Sequence, residues 1–261
     1  MDTSHKVKSP DGTVIAYRRS GQGPPVVLVV GALCTAESGA PLAALLAPRF
    51  DVITYDRRGR GASGDTAPYE VRREVEDLAA LIAEAGGSAS VYGMSSGAAL
   101  ALEAAAAGVE INQLALYEPP YLLDPAGVPA SAAYTGQLGV LLSQGRRDEA
   151  VELFMSLTGM DPAMIAAMRR SPGWSALAAV APTLAYDDAM LGSGLIPTER
   201  LATIGTRSMV VDGGASPAFL RDASRAVAEA LPRGRHRTLT GQTHDVAPHV
   251  LAPVLADFFA G

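Results

Sequence analysis

Val26-Val27-Leu28-Val29-Val30 is an unbroken apolar run of five residues, four of them valine, that follows the breaker-rich stretch Gly21-Gln22-Gly23-Pro24-Pro25. A strand with one face in water alternates apolar and polar side chains, whereas a strand covered on both faces reads as a continuous β-branched run. Helices are the usual cover for both faces of a sheet, so the run predicts a parallel sheet inside two helical layers. The flanking chain supplies those parts. Val7-Lys8, an Asp11-Gly12 turn and residues 13–18 predict a hairpin, since Asp-Gly provides the positive φ of a tight turn. A helix is expected over 41–46 and a strand over 51–55. An amphipathic helix over 70–84 carries Val71, Val75, Leu78 and Ile82 on one side. A strand over 88–93, a helix over 96–107 and a strand over 111–117 complete the first alternation.

The alternation then gives way to a mostly helical stretch broken by Pro125, Pro129, Gly145, Pro162, Pro172, Gly173, Pro182 and Pro197. It resumes with a strand over 207–212, a helix over 217–230, a strand over 235–239 and a helix over 246–260. The expected fold class is therefore α/β, a mostly parallel central sheet flanked by helices, with 1–118 and 207–261 as core and 119–206 as a helical cap insertion. Open α/β sheets keep their ligand crevice at the strand carboxyl ends, and the insertion is placed to cover that end.

Composition narrows the function classes. A net charge of −6 and no long Lys/Arg cluster argue against nucleic acid as the partner. A hydrophobic fraction of 48% is enough for a sizeable core. One cysteine, Cys34, excludes an internal disulfide framework and a Cys-rich zinc site. No apolar run reaches spanning length, so no membrane partner is expected. The opening Met1-Asp2-Thr3-Ser4-His5-Lys6 shows no apolar signal segment, and a cytoplasmic location is expected. No pattern for a metal, a P-loop or a dinucleotide is found, so no metal or cofactor is expected.

Gly93-Met94-Ser95-Ser96-Gly97 fits G-x-S-x-G, and it lies between an expected strand and an expected helix. In that context the sharp turn holds Ser95 in a strained conformation above the sheet, and small flanking residues let strand and helix approach. The bland alternative is a helix N-cap at Ser95 or Ser96. A nucleophilic serine needs a base, and the chain has four histidines. His5 lies in the N-terminal segment, His236 within a strand and His249 in the last helix, whereas His244 sits in Gly241-Gln242-Thr243-His244-Asp245, a loop leaving the last strand. Serine first and histidine near the carboxyl terminus is the chain order of a nucleophile-elbow enzyme.

These residues resemble the α/β-hydrolase superfamily, over nearly the whole chain. Asp56-Arg57-Arg58-Gly59-Arg60-Gly61-Ala62-Ser63 looks like the family's D-x-R-G-x-G-x-S loop, whose role is structural. Val30-Gly31-Ala32-Leu33 stands in the place of the family's His-Gly loop, with Val30 replacing the common His. The resemblance implies an oxyanion hole from the N–H groups of Ala32 and Ser96. It also implies an acid after the strand that follows the cap, but Asp212-Gly213-Gly214-Ala215-Ser216-Pro217 puts Ser216 there. Glu118, in Tyr117-Glu118-Pro119-Pro120, stands where some members carry the acid instead. Asp212 is the second candidate, and a site without a working acid is the third; Asp245, adjacent to His244, points away.

The insertion holds the chain's single Trp and several aromatic and Met residues, so Leu33, Tyr121, Tyr134, Trp174 and Tyr186 are the expected pocket walls for a small apolar substrate. The function these features imply is hydrolysis of an ester, thioester or lactone by a Ser95–His244–Glu118 triad. Two alternatives remain open: a lyase, cyclase or acyl transferase of secondary metabolism on the same fold, and a hydrolase-like ligand-binding protein. Cys34 reads as an inert thiol, and the sequence fixes no oligomeric state.

Overall fold

A computed structural model describes residues 3–261. Met1 and Asp2, part of the segment read for a signal, lie outside the described residues. β1 (Thr3–Lys8) and β2 (Val14–Ser20) form the expected hairpin in antiparallel register, turning at Gly12 with φ +90°. The Val-rich run becomes β3 (Pro25–Val29), followed by β4 (Asp51–Tyr55), β5 (Ala89–Met94), β6 (Ile111–Tyr117), β7 (Arg207–Gly213) and β8 (Gly234–Leu239). The eight strands order as β1-β2-β4-β3-β5-β6-β7-β8, and every pair from β4 through β8 is parallel.

The valines explain the layering. Val27 and Val29 face a core completed by α2 (Val71–Glu84) and α3 (Ser96–Ala106), with Val227 of α10 (Ala218–Ala230) farther along the sheet. Val26 and Leu28 face the opposite core, built by α1 (Ala36–Leu46) and α11 (Pro248–Ala260). Four of these five helices begin close to their expected residues, but α1 begins at Ala36, five residues before Pro41. Its start is set from another element: the Ala36 N–H donates to Asp56 Oδ1 at 2.8 Å. Between β6 and β7 lie α4 (Val128–Ser143), α5 (Arg147–Leu157), α6 (Pro162–Arg169), α7 (Trp174–Val180), α8 (Leu184–Leu191) and α9 (Thr198–Leu201). They bury small cores of their own around Val151 and Trp174 and around Leu138 and Leu184. No helix among the described residues is long and apolar enough to cross a membrane.

The turn after β1 carries an acid-sensitive contact. Burial would raise the Asp11 carboxyl, but bonds from Thr13 and the Arg58 guanidinium outweigh it and lower it from 3.8 to about 2. A carboxylate depressed in the folded state stabilises above its unfolded value, and that contribution is lost as pH falls through the folded one. Thermal melts should therefore show a loss of stability between about pH 4 and pH 2 that is shallower in Asp11→Asn. Parallel curves for the two proteins would contradict the assignment.

Candidate active site

β3 has β4 on one side and β5 on the other, so the chain reverses its direction of travel across the sheet there. Such a switch point opens a crevice at the carboxyl ends of the two diverging strands. The loops after β3 and β5 meet in it: a Cβ built on Gly31 would stand 3.0 Å from Ser95 Cβ and 3.6 Å from Ser95 Oγ.

Among the described residues three non-glycine residues adopt positive φ, and all three follow parallel strands at this edge: Leu33 (58°) after β3, Ser95 (55°) after β5 and Glu118 (45°) after β6. Backbone strain of this kind costs on the order of 1–3 kcal/mol per residue and persists where the surroundings enforce it. Around Ser95 the enforcement is steric. A Cβ on Gly93 would meet Gly97 O at 2.5 Å, and one on Gly97 would meet Val29 O at 2.3 Å. Only glycine lets β3, β5 and α3 close on this turn. The Ser95 side chain makes no cap bond to α3, which removes the helix-cap reading of its hydroxyl.

β6 joins the serine to the histidine loop. The Ser95 N–H donates to Tyr117 O at 2.9 Å, and the Tyr117 hydroxyl donates to Thr243 O at 2.5 Å. One residue on, Glu118 is fully buried, and its Oε2 lies 2.7 Å from His244 Nδ1. Its Oε1 accepts the Gly213 N–H at 2.7 Å. Burial pushes the Glu118 carboxyl up, but His244, the Ser216 hydroxyl and the Gly213 N–H together hold it below its ordinary value, so it stays a carboxylate at neutral pH. With Nδ1 facing Glu118, Nε2 is the ring nitrogen left for proton exchange. The structure contains no direct Ser95–His244 hydrogen bond; such bonds commonly tighten only when substrate is bound.

Asp212 is engaged elsewhere: its Oδ2 lies 2.5 Å from Nε2 of His236 on the neighbouring strand β8. The other two histidines stand apart, His5 stacked on Tyr17 and His249 exposed at the start of α11. Cys34 is half-buried, and burial pushes its thiol up, which leaves little thiolate for reaction.

Of the expected pocket walls, Leu33 and Tyr134 stand beside the crevice. Tyr134, Leu138 and Leu184 pack against Ala32 and Leu33. The other three are held as follows. Tyr121 is 2% exposed within the sheet-side core near Leu201 and Ile204. Trp174 belongs to a core of the insertion that also packs against Leu33, with its Nε1 donating to Asp148 Oδ1 at 2.9 Å. Tyr186 stacks on Tyr69 and donates to Asp65 Oδ2 at 2.6 Å, fastening the insertion to the core.

A buried charge cluster beneath the crevice escaped the sequence reading. Arg57, Arg58 and Arg60 are 1% exposed or less. Arg57 donates to both oxygens of Glu74 at 2.8 Å and to Asp187 Oδ1 at 2.7 Å, and Arg58 grips both oxygens of Asp77 at 2.7 Å. Asp187, from α8, also accepts the Ser96 hydroxyl at 2.7 Å. The D-x-R-G-x-G-x-S loop thus carries three buried cations, each paired with a buried or part-buried carboxylate. Among the described residues no group of three or more His, Cys, Asp or Glu is placed to hold a metal ion.

A strained serine turn on a parallel sheet, with a carboxylate-held histidine at the same edge, defines an elbow-type α/β architecture. The chain belongs to the alpha/beta hydrolase family, whose model matches residues 26–257. It is similar to an alpha/beta hydrolase structure from Sphaerobacter thermophilus, with 53% identity over 98% of this chain and 100% of that one and a TM-score of 0.91. A hydrolase from Pseudomonas aeruginosa shares 22% identity over 99% of each chain with a TM-score of 0.81. An esterase from a Rhodococcus species shares 20% over 99% of this chain and 98% of that one, with a TM-score of 0.74.

Proposed function

We propose that the protein is a serine hydrolase that cleaves an ester, thioester or lactone of a fairly apolar small molecule, with the helical insertion as its cap. The observation that carries the reading is the linked geometry of Ser95, Tyr117, Glu118 and His244: a strained nucleophile turn bonded to the strand whose last residues hold the histidine and its loop. Ser95 Oγ attacks the carbonyl carbon while His244 Nε2 takes its proton. The oxyanion is met by the N–H groups of Ala32 and Ser96; that of Ser96 is at the first position of α3, where a helix N–H has no intrahelical acceptor. His244 then protonates the leaving alcohol or thiol, and in the second half activates water to release the acid from Ser95. Glu118 keeps the imidazole in the tautomer with the proton on Nδ1 and stabilises the imidazolium. The apolar side chains packed around Ala32 and Leu33 support an apolar acyl group.

The test is a panel of p-nitrophenyl esters of graded chain length and several lactones, run in labelled water. Hydrolysis places solvent oxygen in the acid product, and a fluorophosphonate should add to Ser95 in the intact protein. Turnover without solvent oxygen in the product would exclude hydrolysis. For the acid, Glu118→Gln should lower kcat by about 10³–10⁴-fold, because it releases the imidazole tautomer. Asp212→Asn, whose partner is His236, should lower it by less than about tenfold. The reverse ranking would transfer the role to Asp212.

A further inference from the structure

The Gly31 carbonyl and the Ala32 N–H belong to one planar peptide group, so holding the oxygen fixes the direction of the N–H. Arg60 Nη1 holds it, donating to Gly31 O at 2.6 Å and to Cys34 O at 3.2 Å, and so grips both ends of the loop. In a trans peptide the C=O and N–H bonds point opposite ways, which turns the Ala32 N–H away from the buried guanidinium. A cation on the carbonyl also polarises the peptide and strengthens its N–H as a donor.

Arg60 is itself oriented by Asp187, through Nη2 to Oδ1 at 2.9 Å and to Oδ2 at 2.8 Å. The same Oδ1 accepts the Ser96 hydroxyl at 2.7 Å. One carboxylate therefore touches the side chain of one oxyanion donor and the arginine that sets the peptide of the other. It arrives from the insertion, 127 residues along the chain from Arg60. Burial alone would raise Asp187, but Arg60, Arg57 and the Ser96 hydroxyl hold it below its ordinary value, so the contact is ionic at neutral pH.

We propose that Asp187 and Arg60 are positioning residues of the oxyanion hole, so that the insertion, when seated, sets the two donors that face the reacting carbonyl. The inference rests on the hydrolase reading above. Mere attachment of the insertion is already served by Tyr186 on Tyr69 and Asp65. What attachment does not require is the use of Arg60 Nη1 on two carbonyls of the β3 loop. Donors aimed in advance at developing charge favour the transition state over bound substrate, so their misalignment lowers kcat while leaving KM nearly unchanged.

The experiment compares wild type, Arg60→Lys and Asp187→Asn on p-nitrophenyl butyrate with kcat and KM separated. A trifluoromethyl ketone, whose Ser95 adduct carries an oxyanion, reports on the hole directly. Both variants should lose about ten- to hundredfold in kcat. KM should move by less than about threefold, and ketone affinity should fall in step with kcat/KM. Arg60→Lys keeps a charge facing Asp187 and loses the reach to Gly31 O, so it decides the matter if Asp187→Asn does not fold. A folded variant with a lower melting temperature but unchanged kcat and ketone affinity reduces the cluster to a fastener and overturns the proposal. A raised KM with kcat intact does the same. Wild type that labels at Ser95 keeps the hydrolase reading in either case, whereas wild type that neither labels there nor turns over an ester ends both.

Discussion

Replacing Ser95 with alanine is expected to lower kcat on a p-nitrophenyl ester by about 10⁶-fold, to the residual rate of the oxyanion donors and binding alone. The size follows from the geometry. The Ser95 backbone is held at φ 55° by contacts that do not involve its hydroxyl, so alanine inherits the turn and loses only the attacking oxygen. His244→Ala should cost nearly as much, because an unassisted serine hydroxyl is a weak nucleophile at neutral pH. The double variant should be no worse than either single one, since the two groups act as one unit. Steady-state assays corrected for the uncatalysed rate, with melting curves to confirm folding, decide it. Retention of more than about 1% of turnover in Ser95→Ala would mean that the hydroxyl does not attack, and would favour an enzyme that uses only the hole.

Much of this was legible in the sequence because it depends on local patterns. The Val-rich run, the Asp-Gly turn and the amphipathic spacing over 70–84 each report their own element, and each element forms close to its expected bounds. The serine turn was legible for the same reason, since Gly93 and Gly97 are the residues that close approach demands. Glu118 and His244 were legible as strand-end and loop residues on one edge. The start of α1 was not, because Pro41 invites a helix beginning there while the actual start is bonded to Asp56, twenty residues away.

What stayed hidden is the choice of partners across long separations. Arginines and carboxylates are mostly exposed in proteins, and the chain spacing of Arg57, Glu74 and Asp187 does not announce that they pair. Only the fold brings Arg57 to Asp187, 130 residues on. The polar ends of two aromatic residues of the insertion have partners of the same distant kind. Tyr186 and Trp174 bond through them to Asp65 and Asp148, contacts that no spacing in the chain announces.

Buried pairing of that kind predicts a large stability effect. Glu74 is 2% exposed and takes both a two-point bond from Arg57 and the Tyr69 hydroxyl at 2.9 Å. Four charges, Arg57 and Arg60 against Glu74 and Asp187, balance in one buried cluster. Glu74→Ala leaves two guanidinium groups facing a single carboxylate, and breaking a buried pair from one side costs about 3–5 kcal/mol. At this chain length that corresponds to a fall of roughly 6–20 °C in melting temperature. Glu76→Ala, two residues along the same helix, is the internal control. Its partner Arg72 is mostly exposed, and a surface pair of this type is worth less than about 1 kcal/mol. Both changes remove a glutamate from α2 and put in a good helix former, so propensity and net charge cancel in the comparison. Chemical denaturation of the two variants beside wild type measures the difference. Equal losses would show that the Arg57–Glu74 cluster is solvated after all, and that the crevice above it rests on apolar packing alone.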